Sequence, residues 1–180
     1  MIIEFLYDHI DLVSLLWLFP ITFMFHDFEE IIMIEKWIER HGNHVKSSMP
    51  RLAQKLYDSS FRMNTLHFAK DVLWVYSLIV TFTVLAVFFQ FYLPFLAILH
   101  VYFLHIFTHI GQSIYFRRYT PGVITSFLPV LPYSLYAYYR LFSDGVITSQ
   151  DLTWSLIMMI ILLPIALAIL IKSRTKRFTS

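Results

Sequence analysis

The sequence predicts an all-α integral membrane bundle of about five transmembrane helices, with an amphipathic cytoplasmic segment between the first and second, in one domain over residues 1–180. Three observations carry this. Of 180 residues, 58% are hydrophobic and 18% aromatic, with a mean hydropathy of +0.64, above the roughly 45–50% apolar content of soluble domains. Five apolar segments stand out, each long enough at ~1.5 Å per residue to cross a hydrocarbon core of ~30 Å. Lys and Arg cluster in alternate connections between them, as in the positive-inside pattern. Short segments of alternating polarity, which a membrane β-barrel requires, are absent from the sequence.

The first span covers about Leu12 to Ile34. No basic region precedes it and no small-residue cleavage signal follows, so it reads as retained in the mature chain. Trp37 to Asp71 is the only long polar stretch. It reads as one or two interfacial helices broken at Gly42-Asn43 and at Ser47-Ser48-Met49-Pro50, with Leu52, Leu56 and Phe61 dipping into the interface. The second and third spans, Val72 to Gln90 and Phe91 to Tyr115, leave chain for nothing but a tight antiparallel hairpin. Thr120-Pro121-Gly122-Val123 suits a type II turn, because Pro presets φ at the second position and Gly accepts positive φ at the third. The fourth span, Val123 to Phe142, leads through the polar Ser143 to Asp151 loop into the fifth, Leu152 to Ile171. There is no internal repeat of the kind from which many transporters are built.

Thirteen of the fourteen basic residues fall on one side of this arrangement, and only Arg140 on the other. That places the amino terminus outside and the carboxyl terminus in the cytoplasm, within the plasma membrane. The pI of 8.8 then reflects topology and contact with anionic membrane lipids, with no nucleic-acid partner implied. The chain has no cysteine, which excludes disulfides and thiolate metal ligands.

The first span holds His26-Asp27-Phe28-Glu29-Glu30, four ionisable groups in five residues. Each costs roughly 2.5–3.5 kcal/mol in a membrane helix centre, so such groups face a bundle interior or a wet cavity, with partners. At ~100° per residue, Glu29, His26 and Glu30 share an arc of about 100°. The third span carries His100, His105, His109 and Gln112. His105 and His109 stand one turn apart, a spacing that lets two imidazoles bind one metal, whereas His100 points elsewhere. Counted back from the inner ends of their spans, both clusters lie about 5–15 Å inside the cytoplasmic boundary. Each helix thus offers an i, i+4 pair at matched depth: His26 with Glu30, and His105 with His109. Glu29 is left as a candidate general base. His67 becomes a further candidate ligand if the second span begins a turn or two before Asp71, and Asp27 a partner of the ligands. The competing expectation is that the first helix leaves the membrane near Phe25, so that His26 to Arg40 is a surface helix with solvated carboxylates.

These residues resemble the HXXEE-domain family of membrane proteins. His26, Glu29 and Glu30 match its namesake motif, and Tyr119, Pro121 and Gly122 match its Tyr-x-Pro-Gly motif, with further histidine between them. His109 and His67 are both candidates for the family's additional histidine. The resemblance implies metal binding with enzymatic chemistry as one use of it, and brings no settled reaction.

The leading expectation is a membrane-embedded metalloenzyme acting on a lipid or other amphiphilic substrate from the cytoplasmic side. His26, Glu30, His105 and His109 supply ligands, with His67 as a further one, and Glu29 handles a proton. Arg117 or Arg118 holds an anionic headgroup. A nitrogen and oxygen donor set suits a divalent transition metal, zinc preferred, with iron and manganese also compatible. One zinc with an open position implies a hydrolase, and two carboxylate-bridged irons an oxidoreductase. A glutamate-dependent intramembrane protease, a metal or proton transporter, and a purely structural polar cluster are the competing classes, and a homo-oligomer is compatible with each. Reporter fusions after Arg62, Arg118 and Arg177 should all report cytoplasm, and one after Gly145 the opposite side. A cytoplasmic signal at Gly145 would rule out the five-span arrangement.

Overall fold

The computed structural model describes residues 2–51, 54 and 64–178, with side chains described through residue 172. Leu52, Leu56 and Phe61, expected to dip into the interface, lie outside the described residues. Among the described residues the chain is all helical: α1 (Ile2–His9), α2 (Leu12–Ser48), α3 (Thr65–Phe89), α4 (Tyr92–Phe116), a short α5 (Val123–Thr125), a π-helical turn (Ser126–Val130), α6 (Leu131–Ser143) and α7 (Ser149–Phe178). Among the described residues four helices are long and apolar enough to cross a membrane: α2, α3, α4 and the Ser149–Lys172 part of α7.

The expected fourth span is helical throughout but is not a single α-helix. Pro129 lies in its π-helical turn and Pro132 opens α6. A helical proline removes one N–H and its ring crowds the carbonyl four residues back, which a widened π turn relieves. The composite packs on α2 and α4.

The polar segment after the first span also differs from expectation. α2 continues unbroken through Gly42-Asn43 to Ser48, and ends at the Met49 cap before Pro50. Glycine inside a helix costs only about 0.5–1 kcal/mol, which tertiary contacts can outweigh. Gly42 and Val45 are buried, the Trp37 indole donates to the Tyr119 carbonyl at 2.7 Å, and the Tyr115 hydroxyl donates to the Ser48 carbonyl. At ~1.5 Å per residue, the 37 residues of α2 extend well past one bilayer core. α3 begins at Thr65, two turns ahead of Asp71, with the Asn64 side chain accepting from the His67 backbone N–H as its cap.

α4 is the central helix, packed by α3, α6, α7 and the π turn, while α2 packs chiefly on α3. Their contact surface is an aromatic core. The Phe19 ring lies 5.4 Å from Phe95, 5.1 Å from Tyr102 and 6.0 Å from Tyr133, with Leu15, Leu16, Leu96 and Leu99 fully buried around them. Trp154, Leu156, Ile160 and Ile161 of α7 instead face outward, as an apolar helix does against lipid. The hairpin between α3 and α4 closes on Gln90 in the left-handed region, φ 54°. Arg140, the one basic residue assigned to the outer side, is buried between α1 and α6. It donates to the Ile10 carbonyl at 2.9 Å, pairs with Asp144 at 3.1 Å and lies 3.9 Å from the Tyr7 ring centre.

Candidate metal centre

The two i, i+4 pairs meet across the α2–α4 interface. One nitrogen or oxygen from each of His26, Glu30, His105 and His109 falls within a group whose members are all within 4.8 Å of one another. The His105 and His109 Nε2 atoms face each other at 2.8 Å, and His109 Nε2 lies 3.1 Å from Glu30 Oε1. The His26 ring sits edge-on to both, with centroids 5.3 and 4.9 Å away. A tetrahedral ion with bonds of ~2.0–2.1 Å needs donors about 3.3 Å apart, which the observed separations bracket. His26 is fully buried and Asp27 is 4% exposed, so the expected alternative of a solvated surface helix does not describe this part of α2.

The orientation of His26 is set from a third element. Its Nδ1 lies 2.9 Å from the Thr125 hydroxyl, and that hydroxyl lies 2.6 Å from Glu29 Oε2. A hydroxyl has one proton. Ionised Glu29 accepts it, so Thr125 accepts from His26 Nδ1–H, which leaves His26 Nε2 as a bare lone pair. That atom is buried and has no protein partner, as a metal-directed nitrogen would.

Glu29 itself is not one of the four clustered donors. Both of its oxygens are engaged: Tyr119 O–H donates to one, and the Thr125 N–H at 2.9 Å and O–H to the other. Burial and the bond to Glu29 push the Tyr119 phenol above its usual range, keeping it a donor.

The predicted turn is present and is part of the centre. Gly122 has φ 88° and ψ −13°, and the Val123 N–H bonds the Thr120 carbonyl at 3.2 Å, the geometry of a type II turn. A Cβ on Gly122 would lie 2.5 Å from His109 Cε1 and 2.9 Å from Glu30 Oε1. Only glycine fits, for two reasons: the positive φ and the His109 and Glu30 side chains directly against its backbone.

The remaining expected residues lie elsewhere. His67 occupies the first turn of α3, half-buried and outside the four-donor group. Arg117 is exposed at the left-handed cap of α4, and Arg118 bonds its own loop through the Phe116 carbonyl. Gln112 is exposed. His100 bonds Tyr138 and Ser155, tying α4 to α6 and α7. Thr125 was not anticipated, because its role depends on a contact with residues 96 and 99 positions earlier; its one local signal is that it follows the turn by three residues.

The geometry joins His-x-x-Glu-Glu to Tyr-x-Pro-Gly as two halves of one centre. A family model described as a protein of unknown function with HXXEE motif matches residues 17–137, more than half of the chain. The chain belongs to the HXXEE family. Comparison with curated proteins and with solved structures gave no match. In this HXXEE protein the matched region takes in all four clustered donors, Glu29, Thr125 and the turn.

Substituting Gly122→Ala should cost about 1–3 kcal/mol through backbone strain, with the added Cβ displacing His109 and Glu30. Thermal denaturation in detergent should show the lower stability, whereas Gly145→Ala, whose added Cβ meets nothing within 4 Å, should show only its own left-handed strain. Equal losses at the two positions would mean that the contact with His109 and Glu30 carries no weight.

Proposed function

We propose that this is a metal-dependent membrane enzyme, a hydrolase acting on an amphiphilic substrate, whose centre is held by His26, Glu30, His105 and His109. The observation that supports it most is the bare, buried Nε2 of His26, aimed by Thr125 toward three further donors. An all-nitrogen and oxygen set of this kind suits zinc, with iron or manganese also compatible. A divalent metal held there would polarise a carbonyl and acidify water.

The protein's own groups do the rest. α2 and α4 each present two donors one helical turn apart, so the set needs no rearrangement of backbone. Glu29, the proton acceptor expected from the sequence, is in this proposal a positioning residue. Through Thr125 it holds His26 in one tautomer and raises the basicity of Nε2, the part carboxylates play behind metal-binding histidines. The helical composite of residues 123–143 also spans the bilayer in this reading, giving five spans with the amino terminus outside. Its length of about 31 Å at 1.5 Å per residue suffices.

An oxidoreductase is the second reading, favoured by Asp27 and Asp71, two more buried carboxylates on the side of the centre that includes Glu30 and His105. Carboxylate-rich bundle sites hold paired irons. Metal analysis separates the two readings, with one zinc per chain for the hydrolase and two irons for the oxidase.

Protein purified in mild detergent without chelator should retain near-stoichiometric transition metal, and His109→Ala or Glu30→Gln should lose most of it while keeping helicity. Metal-free wild type that takes up no metal would refute the proposal. Glu29→Gln and Thr125→Val should each weaken metal affinity by about 10–100-fold. If Glu29→Gln keeps full affinity and loses about 10²–10⁴ in turnover of ester or amide lipids, Glu29 is the general base after all.

A further inference from the structure

Two of the four clustered donors, Glu30 and His105, stand at one end of a long apolar cleft. Asp27, Glu30, Asp71 and His105 line that end, and beyond them the walls are apolar side chains of α3, α4 and α7, among them Leu78, Phe82, Ile98, Val101, Leu163 and Ala166. The cleft volume is about 460 Å³, within the ~300–1,000 Å³ of ligand sites. Its lining runs along α3 from Phe68 to Phe82 and along α7 from Met159 to Leu170, about 21 Å and 16 Å at 1.5 Å per residue. α3 and α7 each pack on α4 yet barely meet one another, so the cleft has a lateral mouth facing the apolar surroundings of the bundle.

Two features of the polar end define what belongs there. Asp27 Oδ2 is buried with no protein partner, while Asp27 hydrogen-bonds Glu30. A buried polar atom of this kind needs a hydrogen bond, and leaving it unmatched costs its full desolvation penalty. Among the described residues no Lys or Arg lines the cleft, and Arg117 and Arg118 lie on the loop after α4 without reaching it. An anionic head would therefore enter beside the buried side chains of Asp27 and Glu30, two acidic groups on adjoining turns of α2.

We infer that the cleft binds a single hydrocarbon chain of an amphiphile with a neutral, hydroxyl-bearing head, which enters sideways between α3 and α7 and places the head against Asp27 at the centre. A hydroxyl both donates and accepts, so it matches Asp27 in either state, and the hydrocarbon chain exchanges lipid contacts for packing against the cleft walls. This deepens the enzymatic reading and rests on it for any reaction at the head, while the binding itself stands on the cleft. It also replaces the anionic headgroup that Arg117 and Arg118 suggested.

The test uses the full chain in phosphatidylcholine nanodiscs and a long-chain alcohol carrying a photoreactive diazirine in mid-chain. Labelled peptides should map to the cleft faces of α3 and α7. Ala166→Trp, which fills the cleft, should lose most of the label, and Ala168→Trp, exposed and outside the lining, should keep it. On wild type, unlabelled long-chain alcohol should compete, and the same chain ending in phosphate should not. Labelling unaffected by Ala166→Trp, or equal competition by the phosphate, would overturn the inference. Metal content is read on the same samples. Selective labelling of a metal-free wild type would leave the cleft assignment standing and remove the metalloenzyme reading, and metal-loaded protein without selective labelling would do the reverse.

Discussion

The Glu29 carboxylate is the contact on which the rest of the centre depends. A carboxylate inside an apolar helix is costly unless donors surround it, and here they come from Tyr119 and Thr125, on the far side of α4 in sequence. Meeting that need draws the 119–125 segment onto α2. Once it is there, Thr125 orients His26, and Gly122 comes to rest against His109 and Glu30. The same segment is held from outside by the Trp37 indole on the Tyr119 carbonyl. That contact exists only because α2 continues as helix beyond its apolar part.

The helices divide into two kinds. α2 and α4 carry the four clustered donors and are the most enclosed of the long apolar helices, whereas α3 and α7 present mostly apolar surface outward. Because α4 lies between α3 and α7, it exposes one flank to the cleft and the other to α2 and the 123–143 composite. His105 faces both, belonging to the donor group and to the cleft lining.

Much of this was legible in the sequence, since helical period and rise are local properties. The pairing of His26 with Glu30 and of His105 with His109 follows from ~3.6 residues per turn, and their common level follows from counting ~1.5 Å per residue back from the helix ends. The type II turn follows from Pro and Gly at positions with restricted and permissive φ. The all-helical class follows from apolar length alone, as do four of the five expected spans, which are single helices long enough to cross a membrane. Local rules misjudged places where distant contacts outweigh propensity: Gly42 does not break α2, because Val45, Trp37 and Ser48 are held by other parts of the chain. Nor is the 123–143 segment one regular helix, since Pro129 and Pro132 within it reshape the backbone.

What the sequence determined by itself, then, is which residues share a helix face and how deep they lie, because the helix repeats and the cost of buried charge are properties of short stretches. Which face meets which was decided by tertiary structure. Nothing local tells that Glu29 turns to Tyr119 and Thr125 while its neighbour Glu30 turns to His109, since a rotation of ~100° per residue separates the two without naming their partners. Equally, His67, Arg117 and Arg118 carry suitable chemistry, and only the packing of α3 and the cap of α4 places them away from the four donors. Hydrogen bonds across elements are directional and short-ranged, so they are settled where the helices cross.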